Sequence, residues 1–202
     1  MFKPYVRPCD PGRASNFERE AERLLAWPWG SFRAIVSDAA MRNWLVENKI
    51  GSKALASAYR FAFGDRNLTS LCVYSGPRPA HHGKVLSLDL NKFGLASKIG
   101  WLATGDVPLK DPAEAKNLLA HYREQVDSVV TFGLPHHGSV KNYSSMVVAA
   151  LRPHICFVSA KPPKNWQHPH PAVMADVANH GATGIHIDDA EASAFSEAFL
   201  VL

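Results

Sequence analysis

The stretch that decides the fold is Phe132-Gly-Leu-Pro-His136-His137-Gly138-Ser139. It follows the apolar run Ser128-Val-Val-Thr-Phe132, and β-branched and aromatic residues that stop at glycine and proline are typical of a buried strand. Two adjacent histidines therefore lie where this strand ends. Ligands of α/β proteins usually bind at strand ends, so we take this position as the candidate site.

Two other apolar runs end in residues of similar chemistry. Trp101-Leu-Ala-Thr104 is followed by Gly105-Asp106, and Ile155-Cys-Phe-Val-Ser-Ala160 leads into Asn165-Trp-Gln-His168-Pro-His170-Pro171. We expect the chain to bring these three strand ends together at one edge of a sheet.

The rest of the chain from Asn67 onwards predicts strands that alternate with helices, which is the α/β pattern. Asp111-Pro112-Ala-Glu114 combines an N-cap, a proline at the first helical position and an acid two residues later, so it predicts a helix start. The remaining predicted elements are strands at 67–74, 84–88 and 184–187, helices at 144–151 and 171–180, and a final strand or helix at 194–202.

Residues 1–66 are more helical and aromatic, and we predict that they form a separate cover or partner-binding region beside an α/β region at 67–202. Residues 1–15 are expected to be irregular, with Ser15 and Glu18 as a capping box for the first helix. Phe32-Arg-Ala-Ile-Val36 resembles a short strand. Asp38 is expected to cap a helix that ends at Gly51-Ser52, with a second helix after it.

The length of 202 residues allows one domain with a substantial core, or one domain plus a small appendage. With 47% hydrophobic and 20% charged residues, the composition is that of an ordinary globular protein. The net charge of +4 permits an anionic partner such as nucleic acid, but the basic residues are scattered, which favours a mildly basic surface. Cys9, Cys72 and Cys156 are far apart, which indicates a reducing compartment and argues against a cysteine-built zinc site. The sequence has no signal core and no apolar stretch long enough for a membrane segment, so we expect a cytoplasmic protein.

The side chains at the three strand ends suggest a metal site. Asp106, His136 and His168 are donors that suit zinc, with manganese or iron as alternatives. Three of these features also have ordinary explanations. Asp106 could be a turn or cap residue, and the His136–His137 pair could be a polar turn or a satisfied core histidine. His170, near His168, could cap the helix that starts near Pro171. Gly138-Ser139 adds backbone N–H groups and a hydroxyl able to hold an oxyanion or phosphate.

Four motifs carry a resemblance to a known family. Thr104-Gly105-Asp106, Leu134-Pro-His-His-Gly-Ser139, His168-Pro-His-Pro171 and Asn67-Leu-Thr-Ser70 resemble the C-terminal half of metallo-β-lactamase-fold hydrolases, in particular the soluble domain of ComEC-type DNA-uptake proteins. The resemblance implies an αββα sandwich with metal ions at one sheet edge. It also implies hydrolysis by a metal-bound hydroxide, with phosphodiesters such as nucleic acid or nucleotides as substrates.

The same resemblance assigns roles to individual residues. Asp106 would be the carboxylate that can bridge two metals, His136 a ligand or a substrate contact, and His168 the late histidine ligand. The residues that would position the phosphate are His136, His137 and Ser139, and those expected to support the ligands or contact substrate are Asn67 and His170. Which histidine of each pair faces the metal stays open.

The sequence departs from the family in lacking the main metal motif, His-x-His-x-Asp-His. The upstream pair His81–His82 does not have that spacing, and residues 1–66 are too short and too helical to supply the missing half. Three explanations remain: a fragment, a chain completed by a companion chain or domain that carries the motif, or a degenerate homologue. The leading expectation is therefore one part of a hydrolase. The alternative is a non-catalytic scaffold that binds a partner through aromatic-rich helices containing Trp27, Trp29, Trp44 and Phe61.

Overall fold

The computed structural model describes residues 1–26, 31–64, 70–76, 85–89, 92–95, 98–161, 168–190, 193–196 and 199–201. The predicted roles of Asn67, His81–His82, Trp27 and Trp29 fall outside these described residues. The chain divides into two compact units, which we call the helical unit (Pro8–Thr69) and the sheet unit (Met1–Arg7 with Ser70–Leu202).

The prediction of a mixed α/β protein is confirmed. The strands are β1 (Phe2–Val6), β2 (Leu71–Ser75), β3 (Val85–Asp89), β4 (Lys92–Leu95), β5 (Gly100–Ala103), β6 (Val129–Gly133), β7 (Ile155–Ser159), β8 (Thr183–Ile187) and β9 (Phe199–Val201). The α-helices are α1 (Pro11–Leu25), α2 (Phe32–Ser37), α3 (Ala39–Glu47), α4 (Lys49–Phe63), α5 (Pro112–His121), α6 (Ser145–Leu151) and α7 (Pro171–Asn179).

The sheet unit is built on a six-stranded sheet with the order β1-β2-β5-β6-β7-β8. β1, β2 and β5 are antiparallel neighbours, whereas β5 to β8 are parallel. β3 pairs with β4 and β9 in a second, three-stranded sheet. Because parallel strands end at the same edge of a sheet, the loops that follow β5, β6 and β7 share one edge.

The core of the sheet unit lies between the parallel strands and the helices that connect them. Every residue of β6 is buried, and Phe132 belongs to one apolar cluster with side chains of α5, α6 and α7. On the other side of the strands, Trp101 of β5 and Phe157 of β7 contact the ring of Phe195, with ring centroids 5.7 Å and 6.5 Å from it. The strands that carry the candidate site are therefore packed on both faces.

The helical unit is inserted into a β-hairpin. β1 and β2 are antiparallel neighbours whose last paired residues are Val6 and Leu71, and the whole of Pro8–Thr69 lies between them. The expectation that residues 1–15 are irregular is wrong, because β1 is stabilised by distant partners. The Tyr5 hydroxyl donates to the buried carboxylate of Glu114 at 2.8 Å, and Arg7 Nε pairs with the same carboxylate at 3.1 Å.

Helix starts in the helical unit follow capping residues, although not always the predicted ones. Asp38 caps α3 as predicted, with its carboxylate accepting from the N–H of Met41 at 2.9 Å. α1 starts at Pro11 rather than at Ser15, because Asp10 accepts from the N–H of Gly12. The side chain of a cap thus decides each of these starts.

Two further predictions in the helical unit are wrong. Residues 32–36 form part of helix α2 rather than a strand, since Ser31 caps them and their apolar side chains Phe32 and Ile35 are buried one helical turn apart. The break expected at Gly51-Ser52 occurs at Asn48, which caps α4. Gly51 lies inside α4, where a Cβ atom would come within 2.8 Å of the carbonyl oxygen of Leu45. This glycine therefore permits close packing of α4 on α3.

Candidate functional site

The three predicted strand ends meet at one edge of the sheet unit. The N–H of His136, after β6, donates to the carbonyl of Gly105, after β5, at 2.8 Å. The N–H of His170, in the segment after β7, donates to the carbonyl of Gly138 at 3.1 Å. These backbone hydrogen bonds tie the loop after β6 to both of its neighbours.

The loop after β6 has an unusual backbone. His136 and His137 both adopt left-handed conformations, with φ of 47° and 55°, and Gly138 follows with φ of 74°. A left-handed residue other than glycine costs about 1–2 kcal/mol, so two in succession need support from surrounding contacts. Such strain is concentrated at functional sites in proteins. A Cβ atom on Gly138 would lie 2.9 Å from that of Pro169, so a glycine is required for the loop after β7 to approach.

The ring of His136 lies next to the ring of His168. Their centroids are 5.9 Å apart, the rings are inclined at 58°, and both residues are half-buried. His137 is exposed, and its Nδ1 lies 2.5 Å from the carbonyl oxygen of Ser159 at the end of β7. This contact occupies one of the two ring nitrogens of His137, so Nε2 is the one left to face a ligand.

Contacts of the neighbouring residues fix the backbone position of Asp106. The Thr104 hydroxyl donates to the carbonyl of Gly133 at 2.7 Å, which fixes the end of β5 against β6. Gly105 turns the chain with φ of 53°, and a Cβ atom there would come within 3.2 Å of the carbonyl oxygen of Leu71. Asp106 itself is half-buried, and its carbonyl accepts from Asn142 Nδ2 at 3.1 Å.

The described residues only partly fit a metal ion. A ring centroid lies about 3 Å from an ion that its nitrogen ligates, so two rings that share an ion lie about 5–6 Å apart, as His136 and His168 do. Within the described ranges, however, no group of three histidine, cysteine, aspartate or glutamate side chains is arranged to hold a metal ion. The structure thus brings the two histidines together without completing the predicted set with the Asp106 carboxylate.

Two predicted site residues have structural contacts of their own. Ser139 is 5% exposed, its hydroxyl accepts from the N–H of Lys141 at 3.2 Å, and its own N–H donates to the carbonyl of His136 at 3.0 Å. His170 caps α7, with Nδ1 accepting from the N–H of Ala172 at 3.2 Å. Their contacts with substrate stay predictions.

Two polar residues that hold this edge together have no assigned role in the sequence-based prediction. Thr104 is 1% exposed and Asn142 is 9% exposed, and each bridges the β5 and β6 loops through its side chain. Thr104 is recognisable as a polar residue that ends an apolar run. Asn142 stands in an ordinary polar turn, so no local signal marks it.

Cys72 and Cys156 are buried thiols in the core of the sheet unit. Burial raises the pKa of Cys156 to about 12, and burial together with the charge of Glu114 raises the pKa of Cys72 to about 12. Both thiols are therefore protonated at pH 7 when no metal ion is bound to them.

Comparisons of this chain with protein-family models, with curated proteins and with solved structures found no match. Among the described residues, no helix has both the length and the apolar character needed to cross a membrane.

Proposed function

We propose that this chain contributes the C-terminal half of a metal-dependent hydrolase that acts on phosphodiesters, with its site at the shared edge of β5, β6 and β7. The proposal depends chiefly on one observation, the 5.9 Å separation of the His136 and His168 rings at neighbouring strand ends. The strained histidine pair supports it, because the fold maintains this costly loop where ligands usually bind.

The architecture is also compatible with half of a metallo-β-lactamase-like αββα sandwich. The parallel strands have a helix-covered face, whereas Trp101 and Phe157 on the opposite face contact Phe195, which precedes a strand of the second sheet. The sandwich and the membership of that family are part of the proposal.

In this proposal the chain supplies an incomplete set of ligands. His136 and His168 would hold the ion, and the carboxylate of Asp106 would have to turn towards them. A bound zinc ion, or manganese or iron in its place, would supply a Lewis acid for phosphodiester hydrolysis. The remaining ligands would come from a companion chain or domain with the His-x-His-x-Asp-His motif. His137, exposed beside this pair, would orient the phosphate through Nε2.

The test is hydrolysis by the assembled protein. A tagged chain is isolated from its own cells together with its bound partners and assayed on bis(p-nitrophenyl) phosphate with zinc or manganese. We expect Asp106→Ala and His168→Ala each to abolish turnover. His154→Ala is the matched control, because His154 is an exposed histidine at the opposite end of β7 and should leave turnover unchanged. Normal turnover in both site variants would refute the site assignment.

A second candidate function is a catalytically inactive module that binds a partner chain. The specific observation for it is a set of exposed apolar side chains on the helical unit, namely Trp44, Val46, Ile50 and Phe61, which are 39%, 70%, 71% and 69% exposed. This reading predicts no phosphodiester turnover in the assembled protein, together with a co-purifying partner that Phe61→Ser or Ile50→Ser releases. A partner retained by both variants would contradict it.

A further inference from the structure

We infer that the exposed side of α4 binds an acidic amphipathic helix, that is, a helical segment of a partner protein with carboxylates beside apolar side chains. The inference rests on the partner-binding function given above as the second candidate, and it names the chemistry of that partner. It is independent of the metal site, because every residue that supports it belongs to the helical unit.

One side of α4 is buried in the helical unit, and the other side is exposed. Five exposed residues lie within about 100° of one another around the helix axis, since successive residues of an α-helix are rotated by about 100°. We call them the α4 surface: Ile50, Lys53, Ser57, Arg60 and Phe61. Its two apolar side chains are about 16 Å apart along the axis, and its two cations lie between them.

The α4 surface is positively charged, and its own helix offers no compensating carboxylate. α4 contains Lys49, Lys53 and Arg60 but no acidic residue. Lys49 is the first residue of the helix, where the helix dipole attracts anions and disfavours cations. The lysines and the dipole therefore both make this end of α4 positive, which favours a partner rich in carboxylates.

Most acidic residues of the helical unit have contacts away from α4. Glu18 and Glu20 form ion pairs with arginines, and Asp10 and Asp38 cap helices. Glu47, at the end of α3, is the acidic residue that precedes α4 most closely in sequence. Within the part of the chain that the structure describes, no ion pair joins any carboxylate to a cation of α4. These cations are therefore accessible to carboxylates of a partner.

The arrangement favours a protein helix over other anionic partners. A helix that lies in a membrane surface has a wide apolar face, whereas here cations separate the two apolar side chains. Nucleic acid would use the cations but would leave Ile50 without an apolar contact, since its backbone offers phosphates. An amphipathic helix of about three turns spans the distance from Ile50 to Phe61, so it can cover both side chains and place carboxylates between them.

The experiment is a selection of binders from a display library of helical peptides of about five turns, with the full chain as the target. The library varies one helix face among acidic, basic, polar and apolar residues. We expect enrichment of peptides that combine carboxylates with large apolar side chains. The wild-type chain should bind such a peptide more weakly at high salt, because salt screens exposed charges.

Substitutions then locate the bound peptide, with its Kd measured by fluorescence anisotropy. Lys53→Glu and Arg60→Glu should each raise the Kd by about 3- to 10-fold, and Phe61→Ser by about 10-fold or more. The control Lys116→Glu makes the same charge reversal at an exposed site in α5, and its Kd should match the wild-type value. Circular dichroism verifies that each variant is folded.

Several outcomes would refute the inference. They are a selection without acidic bias or without enrichment, and a selected peptide that the wild type and both charge-reversal variants bind equally well. Binding of a labelled oligonucleotide or of phosphatidylserine vesicles, or self-association, that Lys53→Glu abolishes would identify another occupant. With any of these results, a cellular partner that Phe61→Ser still releases would leave the partner-binding function in place. A chain that retains no cellular partner and enriches no peptide would refute both.

Discussion

The helical unit and the sheet unit differ in how far apart in sequence their core residues lie. The described buried cluster of the helical unit has five residues, Ala21, Phe32, Ile35, Leu45 and Ala58, all from one continuous segment. That of the sheet unit has twenty-one, and they range from Tyr5 to Ala182. The larger core joins strands that are distant in sequence, and the strained histidine loop follows one of them. Exposed large apolar side chains occur in both units, for example Phe61 in the helical unit and Phe2 in the sheet unit. In the proposals above, the hydrolytic site lies in the sheet unit, and the partner-binding surface of the second candidate function lies in the helical unit.

Core truncations test whether the two units are independent, and they should have the largest effects. Phe132→Ala should destabilise the sheet unit by about 3–5 kcal/mol, and Leu45→Ala the helical unit by about 2–5 kcal/mol, since each side chain is 1% exposed. Hydrogen exchange followed by mass spectrometry should show faster exchange confined to the unit that carries the substitution. Faster exchange in β5–β7 after Leu45→Ala would contradict the division into independent units.

A smaller and pH-dependent loss of stability is expected when one side-chain hydrogen bond of the sheet unit is removed. The Tyr143 hydroxyl donates to Asp176 on α7 at 2.6 Å and holds the pKa of that carboxyl below its usual range. A lowered pKa in the folded state adds stability above the unfolded pKa of about 3.9 and loses it as the pH falls through the folded value. Tyr143→Phe should therefore lower the free energy of unfolding by about 1–2 kcal/mol at pH 7, and by less below pH about 4.

Urea unfolding at several pH values measures this difference. Asp127→Asn is the control, because the Asp127 side chain is 81% exposed and its ion pair with Arg152 spans 3.6 Å, so its removal should change stability little. A loss in Tyr143→Phe that is the same at pH 3 and pH 7 would show that the tyrosine acts only through packing.

The smallest change in the stability of the sheet unit is expected when the whole helical unit is removed. Val6 and Leu71 are paired residues of β1 and β2, so an Asn-Gly turn between Arg7 and Ser70 should close the hairpin in place of Pro8–Thr69. The stability of the sheet unit should change by no more than about 1 kcal/mol, measured by urea unfolding. A shortened chain that fails to fold would mean that the helical unit is needed for the sheet.

Local signals predicted most of the sheet unit. Several elements lie where the sequence predicted them. They are the helix start at Asp111-Pro112, the strands β5, β6 and β7, and the helix after His170. β1 was not predicted because residues distant in sequence stabilise it. The side chains of Tyr5 and Arg7 both contact the carboxylate of Glu114. A segment as short as residues 32–36 fits both a strand and a helix, and only packing decides between them.

The candidate site was predictable in its location but not in its detailed geometry. The sequence predicted that the strand ends followed by Asp106, His136 and His168 come together at one edge of a sheet. β5, β6 and β7 are neighbouring strands that share such an edge. Three features of the site depend on contacts between loops. They are the left-handed backbone of the two histidines, the proximity of the His136 and His168 rings, and the hydrogen bond from Asn142 to Asp106. Sequence patterns describe neighbours along the chain, so they cannot specify such contacts.

The most direct test of the central claim is the zinc content of the wild-type chain isolated together with its bound partners, determined by elemental analysis after dialysis against a zinc buffer. The matched variants are His168→Ala at the candidate site and His154→Ala at the opposite end of β7. We predict that the wild type and His154→Ala retain zinc to the same extent and that His168→Ala loses it. Equal zinc in all three proteins, or none in the wild type, would contradict a metal site at the edge of β5, β6 and β7.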